Sequence, residues 1–187
     1  MDQDLVVQAQ GGDEAAFESL AIASYTRLFR LADCLLRDRG LAEDAVQQAF
    51  LDIWRNLRQL RDPARFEGWS YRLLVHACYA EAKRKPRWVP DDDLSPAAEP
   101  RTVDAFGAVA DRDQLERGFA HLSMDHRAVL VLRYLLDMTP AQVAQTLGIT
   151  RWTVYARLGR AEDAMRAALA SDARAATSTP APEEATR

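Results

Sequence analysis

The side chains best suited to chemistry lie in residues 139–160, TPAQVAQTLGITRWTVYARLGR. Arg, Thr and aromatic residues gathered on one helix face suit contact with phosphates and base edges in the DNA major groove. Local rules supply the elements that would hold them there. Pro140 fits a first helical turn, where its missing N–H costs nothing. Val143, Ala144 and Leu147 form an apolar stripe at helical spacing. Gly148 stands where a left-handed residue would end that helix, Ile149 plugs the turn, and Thr150 is a good N-cap for the next helix. Val154, Leu158 and Ala161 then face inward. Arg151, Trp152, Thr153, Tyr155, Ala156, Arg157 and Arg160 are left to the outer face or its flanks. The pattern reads as a helix-turn-helix. An ordinary packed hairpin with a solvated basic face would share the stripes, but it does not require turn, caps and basic face to coincide.

A second stretch, residues 66–88, FEGWSYRLLVHACYAEAKRKPRW, interleaves Trp69, Tyr71, Tyr79 and Trp88 with cations. Aromatics stack on unpaired bases while cations follow the backbone, a pattern suited to single-stranded nucleic acid. Taken alone, the stretch would serve equally well as bundle core (Trp69, Leu73, Leu74, Ala77) with a basic C-terminus complementing the helix dipole. Beside a helix-turn-helix the single-strand reading gains weight.

Composition narrows the function classes. The sequence contains no Gly-rich phosphate loop, HExxH or nucleophile elbow, so no catalytic centre, cofactor or metal site is expected. His76, His121 and His126 sit on separate segments and read as surface or interface residues. Cys34 and Cys78 lack zinc-site spacing and read as buried thiols of a reducing compartment. No apolar run reaches the roughly 20 residues a membrane span needs, and the acidic N-terminus lacks a signal-peptide pattern. A cytoplasmic protein without membrane insertion is expected. The net charge of −4 is unusual for a DNA binder. Its distribution explains much of this. Residues 69–88 hold five basic residues against Glu81, whereas residues 86–113 hold seven acidic against three basic.

The whole chain reads as all-α. Asp13 caps a helix running through Phe17, Leu20, Ile22 and Leu28; a second pattern covers Leu31, Leu35 and Leu36 and stops near Arg39-Gly40. A third helix, Leu41 to Leu57, has a buried stripe of Val46, Phe50, Ile53, Trp54 and Leu57. Its polar face carries Asp44, Gln47, Gln48, Asp52 and Arg55. The loop RQLRDPARF leads into a long helix from about Glu67 to Lys85, and these helices make an N-terminal bundle over 1–88. Residues 89–112, with their prolines and acidic run, read as a flexible linker. Residues 113–170 form the helix-turn-helix domain, with Ser123 capping a helix through Val129, Leu130, Leu132, Leu135 and Leu136. Residues 171–187 have the composition of a disordered tail.

GDEAAFESL, LAEDAVQQAFLDIWRNL and FEGWSYRLLVHACYAEAKR resemble the sigma-2 domain of bacterial RNA polymerase sigma factors of the extracytoplasmic-function (ECF) class in the sigma-70 family. LSMDHRAVLVLRYLLDMTPAQVAQTLGITRWTVYARLGRA resembles their sigma-4 domain. The resemblance implies a non-enzymatic factor that binds core RNA polymerase and directs promoter-specific initiation. Asp44, Gln47, Gln48, Asp52 and Arg55 would dock on the clamp helices of the polymerase's largest subunit. Trp69, Arg72, His76, Tyr79, Ala80, Lys83 and Arg84, with the loop before them, would open the minus-ten element and hold flipped non-template bases. The outer face of helix 150–160 would read the minus-thirty-five duplex. The acidic linker would thread the polymerase's RNA channel. An anti-sigma protein is a further implied partner. Gln48 stands where an acidic residue is usual, His76 where Asn is common and Ala80 where Asp is common. Trp152 and Tyr155 replace the usual Gly and Lys, so the promoter sequence does not carry over from relatives.

Two other function classes use parts of the same pattern. A stand-alone repressor or activator would need a dimerisation or ligand-sensing domain, and residues 1–88 show neither a pocket nor a heptad seam. A sigma mimic that sequesters an anti-sigma protein would have no need of Arg151, Arg157, Arg160 and the basic end of the long helix.

Overall fold

The computed structural model describes residues 3–84 and 109–177, with side chains placed over 3–84 and 115–171. The described residues are helical, without a strand. The expected linker of 89–112 lies outside them except for its last residues. In chain order the helices are α1 (Gln3–Gln10), α2 (Glu14–Leu36), α3 (Arg39–Asn56), α4 (Phe66–Arg84), α5 (Val109–Ala120), α6 (Met124–Leu130), α7 (Pro140–Leu147) and α8 (Arg151–Thr177). Short 3-10 turns at Leu57–Gln59 and Pro63–Arg65 join α3 to α4, and a π-helical turn at Val131–Leu135 follows α6.

Five helix starts, those of α2, α3, α6, α7 and α8, use side-chain caps that their sequences offer. The Asp13 and Asp38 carboxylates accept from the backbone N–H of Ala16 at 3.1 Å and Leu41 at 3.0 Å. Ser123 accepts from His126 N–H at 3.3 Å. Thr139 and Gln142 form a reciprocal capping box around Pro140. Gly148 ends α7 in the left-handed region at φ 66°, and Thr150 accepts from Thr153 N–H at 3.1 Å.

Helices α2, α3 and α4 pack around Leu20, Leu28, Leu31, Leu35, Ile53, Phe66 and Leu74, all fully buried. Leu132, Val143, Val154, Leu158 and Ala161 hold α6, α7 and α8 together, and one apolar cluster runs through both groups.

Four features depart from the sequence reading. The two helices expected between Asp13 and Arg39 are one, because Leu20, Ser24, Leu28, Leu31, Ala32 and Leu35 make an unbroken inward seam with no breaker between them. An additional helix, α1, buries Val6 and Ala9; Gln10 at its end donates to the carbonyls of Leu57 and Leu60 at 3.0 and 2.6 Å, bracing the turn before α4. Trp54, expected inside, is 43% exposed. Ala42, Ala45 and Ala49 take the inward angle of α3 with Val46 and Ile53, which leaves Phe50 half-buried and Trp54 at the edge. Finally, α5 starts at Val109 and α8 continues to Thr177, into stretches read as linker and tail. Among the described residues no helix is long and apolar enough to cross a membrane.

Candidate nucleic-acid interface

The outward face of α8 has the composition expected of it. Val154, Leu158 and Ala161 are buried against α6 and α7, and that packing fixes the helix rotation. Arg151, Trp152, Tyr155 and Arg160 are exposed, and Thr153 and Ala156 are half-buried. Trp152 is 78% and Tyr155 61% exposed, so neither ring is used by the fold. Arg157 differs from the other cations. Its Nη2 lies 3.0 Å from Asp125 Oδ2, a residue of the first turn of α6.

On α4, His76, Ala80, Lys83 and Arg84 are exposed, and Trp69, Arg72 and Tyr79 are half-buried. Spacings of three and four put Trp69, Arg72, His76, Tyr79, Ala80 and Lys83 along adjoining helical rows. Trp69 leans on Phe66 with ring centroids 6.1 Å apart. Arg84 is tethered to the buried Glu81 at 2.9 Å. The opposite side of α4 is locked into the bundle. Tyr71 donates to Glu67 Oε1 at 3.0 Å, Arg27 pairs with the same oxygen at 2.8 Å, and the Arg27 guanidinium sits 5.4 Å from the Tyr71 ring centroid. Burial pushes the Tyr71 phenol well above its ordinary ionisation range, so it stays a donor. Cys78 is fully buried, and burial pushes its thiol up to about 12; Cys34 is half-buried.

Trp69 and Arg72 also line a cleft of about 980 Å³ whose far wall includes Leu135, Leu136, Met138, Gln142, Gln145 and Thr146. Further along α4, His76, Tyr79 and Lys83 share a recess with Asp125, Leu147, Ile149 and Arg157.

The polar residues predicted on α3 do share a region. Asp44 and Gln47 are exposed, Gln48 donates to Asp52 Oδ1 at 3.1 Å, and Arg55 lies 3.8 Å from the same carboxylate. Asp44 and Gln47 border a groove of about 530 Å³ whose other walls include Phe17, Tyr25, Phe50, Leu51 and Trp54. Trp54 meets Phe17 edge-on at 4.7 Å, and Leu51 and Tyr25 are exposed beside it. Sequence reasoning missed this apolar component. Its signal was present: α2 and α3 carry more large apolar residues than one inward stripe can bury.

Residues 21–88 match the Sigma-70 region 2 family and residues 112–165 the Sigma-70, region 4 family. The ECF RNA polymerase sigma factor SigM of Mycobacterium tuberculosis is 32% identical over 163 residues, covering 86% of this chain and 80% of that protein. The chain belongs to the ECF sigma factors of the sigma-70 family. Sigma factor SigL of the same organism is 34% identical over 166 residues, covering 84% of this chain and 93% of its own. The RNA polymerase sigma-H factor of Pseudomonas aeruginosa is 27% identical over 181 residues, covering 90% and 93%. Among solved structures, CnrH in complex with the cytosolic domain of CnrY aligns with a TM-score of 0.64 at 24% identity, covering 91% of this chain and 98% of that one. RpoE in complex with the anti-sigma factor NepR from Bartonella quintana aligns at 0.62 and 21%, covering 83% and 98%. These two share the fold of this sigma factor. Its family consists of transcription initiation factors rather than enzymes. The boundaries of the matched segments set the aromatic-basic helix α4 in region 2 and the helix-turn-helix of α7 and α8 in region 4.

Asp125 and the Tyr134–Glu162 pair, a 2.6 Å hydrogen bond between the π-helical turn and α8, were also absent from the sequence reading. Asp125 reads in sequence as a first-turn acidic residue suited to the helix dipole; its partners are 32 and 46 residues away in the chain.

Proposed function

We propose that this sigma factor binds core RNA polymerase and directs it to a two-part promoter. The observation that carries the proposal is the pairing of two exposed basic and aromatic helix faces, one in each family-matched segment. The α8 face of Arg151, Trp152, Thr153, Tyr155, Ala156, Arg157 and Arg160 enters the major groove of the minus-thirty-five duplex. Trp152 and Tyr155 meet thymine methyls or sugars there and set the promoter preference. The α4 residues Trp69, Arg72, His76, Tyr79, Ala80, Lys83 and Arg84 engage the melted minus-ten strand. Extruding a base costs a few kcal/mol, and stacking on an aromatic side chain returns about 1–3 kcal/mol per base, so Trp69 is of a size to offset it. His76 and Ala80 alter which bases are accepted.

The polymerase docks on the α2–α3 groove. Trp54, Leu51 and Tyr25 supply its apolar centre, with Asp44, Gln47, Gln48, Asp52 and Arg55 as its polar border. Residues 1–88 act as the sigma-2 unit and 113–170 as the sigma-4 unit, and 89–112 thread the RNA channel. An anti-sigma protein is the second partner of this groove; support comes from RpoE, which is similar in fold and is described in complex with the anti-sigma factor NepR.

Run-off transcription with purified core polymerase and a library of upstream DNA tests the reading. Defined start sites are expected only when the protein is present. The same distribution of starts with and without it would refute the proposal.

A further inference from the structure

Gln10 lies outside the segment that matches the Sigma-70 region 2 family, which begins at residue 21. Its contacts nonetheless reach into that segment. Gln10 Nε2 donates to the carbonyl of Leu57 at 3.0 Å and to that of Leu60 at 2.6 Å, spanning the turn that follows α3. A carboxamide nitrogen carries two N–H groups, so each carbonyl can take one. Val6 and Ala9 are buried and dock α1 on the bundle, so the amide is offered from a fixed base. A second contact lies beside it. Gly12 has φ 97°, and a Cβ there would stand 3.2 Å from Arg58 Nη2, so the turn between α1 and α2 passes close to that guanidinium.

The braced turn displays cations. Leu57 and Leu60 are buried, while Arg58 and Arg61 are exposed. The flanking arginines are engaged: Arg55 lies 3.8 Å from Asp52 and Arg65 3.2 Å from Asp62. Among the described residues Arg58 and Arg61 have no such acidic partner. Unpaired guanidinium groups suit the phosphates of a nucleic-acid backbone. Leu60 and Arg65 line one cleft with Trp69 and Arg72, so the turn borders the surface proposed to hold melted DNA.

We propose that Gln10 is a positioning residue for promoter opening: by pinning the Leu57 and Leu60 carbonyls it holds Arg58 and Arg61 against the backbone of the melted strand whose extruded base stacks on Trp69. The inference rests on the assignment of α4 to that strand. An amide donates to both carbonyls without bringing a charge of its own to the cationic turn. Without it the turn samples other shapes, and the two cations are not in place when the base leaves the stack.

The test uses holoenzyme formed with saturating full-length factor and a promoter recovered from the run-off library. Permanganate reactivity of unpaired thymines reads strand opening, and circular dichroism checks folding. Gln10→Met keeps the length of the side chain and removes both N–H donors; Gln10→Ala repeats the test with a smaller side chain. Ser19→Ala removes a different side-chain bond to a backbone carbonyl, 2.9 Å to Ala15 on α2, and is expected to open DNA as the parent does. Gln10→Met is expected to open about tenfold less DNA at unchanged helicity, which corresponds to about 1.4 kcal/mol. Arg58→Ala combined with Arg61→Ala should cost at least as much. Adding Gln10→Met to that pair should change opening by less than about twofold, because residues that act as one unit are not additive. Folded Gln10 variants that open DNA as the parent does overturn the proposal. So does a full further loss in the background lacking both arginines, which would mark Gln10 as merely structural. A parent that yields no run-off transcript removes the initiation reading, and this inference with it.

Discussion

Trp54→Ala is the substitution that best separates an apolar polymerase contact from a polar one. The indole is 43% exposed at the edge of the α2–α3 groove. A Trp side chain has up to roughly 250 Å² of surface, so about 100 Å² remains for a partner to cover. At about 25 cal/mol per Å² complete cover contributes about 2.5 kcal/mol, or roughly 60-fold in Kd. Cover of only half leaves roughly eightfold. Asp44 is exposed at the same groove, and a solvated border charge contributes less than about 1 kcal/mol, under roughly fivefold, with a salt dependence that Trp54 lacks. The substitution also removes the edge-on contact with Phe17 at 4.7 Å. An aromatic pair of this kind contributes about 1 kcal/mol beyond its area, so a lower Tm is expected alongside the weaker binding. Titrating labelled core polymerase with each variant at two salt concentrations, beside thermal unfolding by circular dichroism, reads the effects separately. Folded Trp54→Ala that binds within twofold of the parent, while Asp44→Ala loses tenfold, would show that the polar border carries the contact and that the area argument is wrong.

Three further outcomes are expected. Trp152→Ala should leave stability within about 0.5 kcal/mol, as for a surface position away from packing, because the ring is 78% exposed; the minus-thirty-five sequences selected from a promoter library should nonetheless change, and an unchanged selection would remove Trp152 from the reading surface. Gly148→Ala should destabilise by about 1 kcal/mol, since φ is 66° while no atom lies within 4 Å of the added Cβ; chemical denaturation measures it, and an unchanged midpoint would mean the turn relaxes. Cys78 should resist alkylation in the folded protein. Its thiol is pushed up to about 12 from about 9, so the folded state favours the protonated form; that stabilisation is whole below about 9 and is lost as pH rises towards about 12. Stability of Cys78→Ala, followed from pH 8 to 11, should fall less steeply than that of the parent, and parallel curves would exclude the thiol as a source of the slope.

The parts of this chain that were legible in sequence are those set by local chemistry. Thr139, Pro140, Gly148 and Thr150 bracket α7 and the start of α8 because caps, proline and left-handed glycine act within a few residues. The inward positions Val154, Leu158 and Ala161 follow from the helical period. Where an apolar residue went unburied, the reason was tertiary. Periodicity marks Trp54 as apolar but does not say whether another helix arrives to cover it, and alanines at 42, 45 and 49 draw the neighbouring helices to the other side of α3. Long-range polar partners were likewise invisible. Arg157 reads as a free DNA-facing cation until the fold brings Asp125 beside it. Sequence spacing identified the chemical type of each surface; the packing decided which of its members are available.

That distinction bears on how a chain with a net charge of −4 could work at a promoter. Base extrusion costs a few kcal/mol, and stacking returns a similar amount, so α4 alone leaves strand opening near balance. Under the proposed function, a polymerase bound at the α2–α3 groove would supply the missing affinity through its own hold on the DNA backbone. A low intrinsic affinity would then be useful. A factor that bound promoter DNA well by itself would occupy sites without a polymerase and block the initiation it is meant to start.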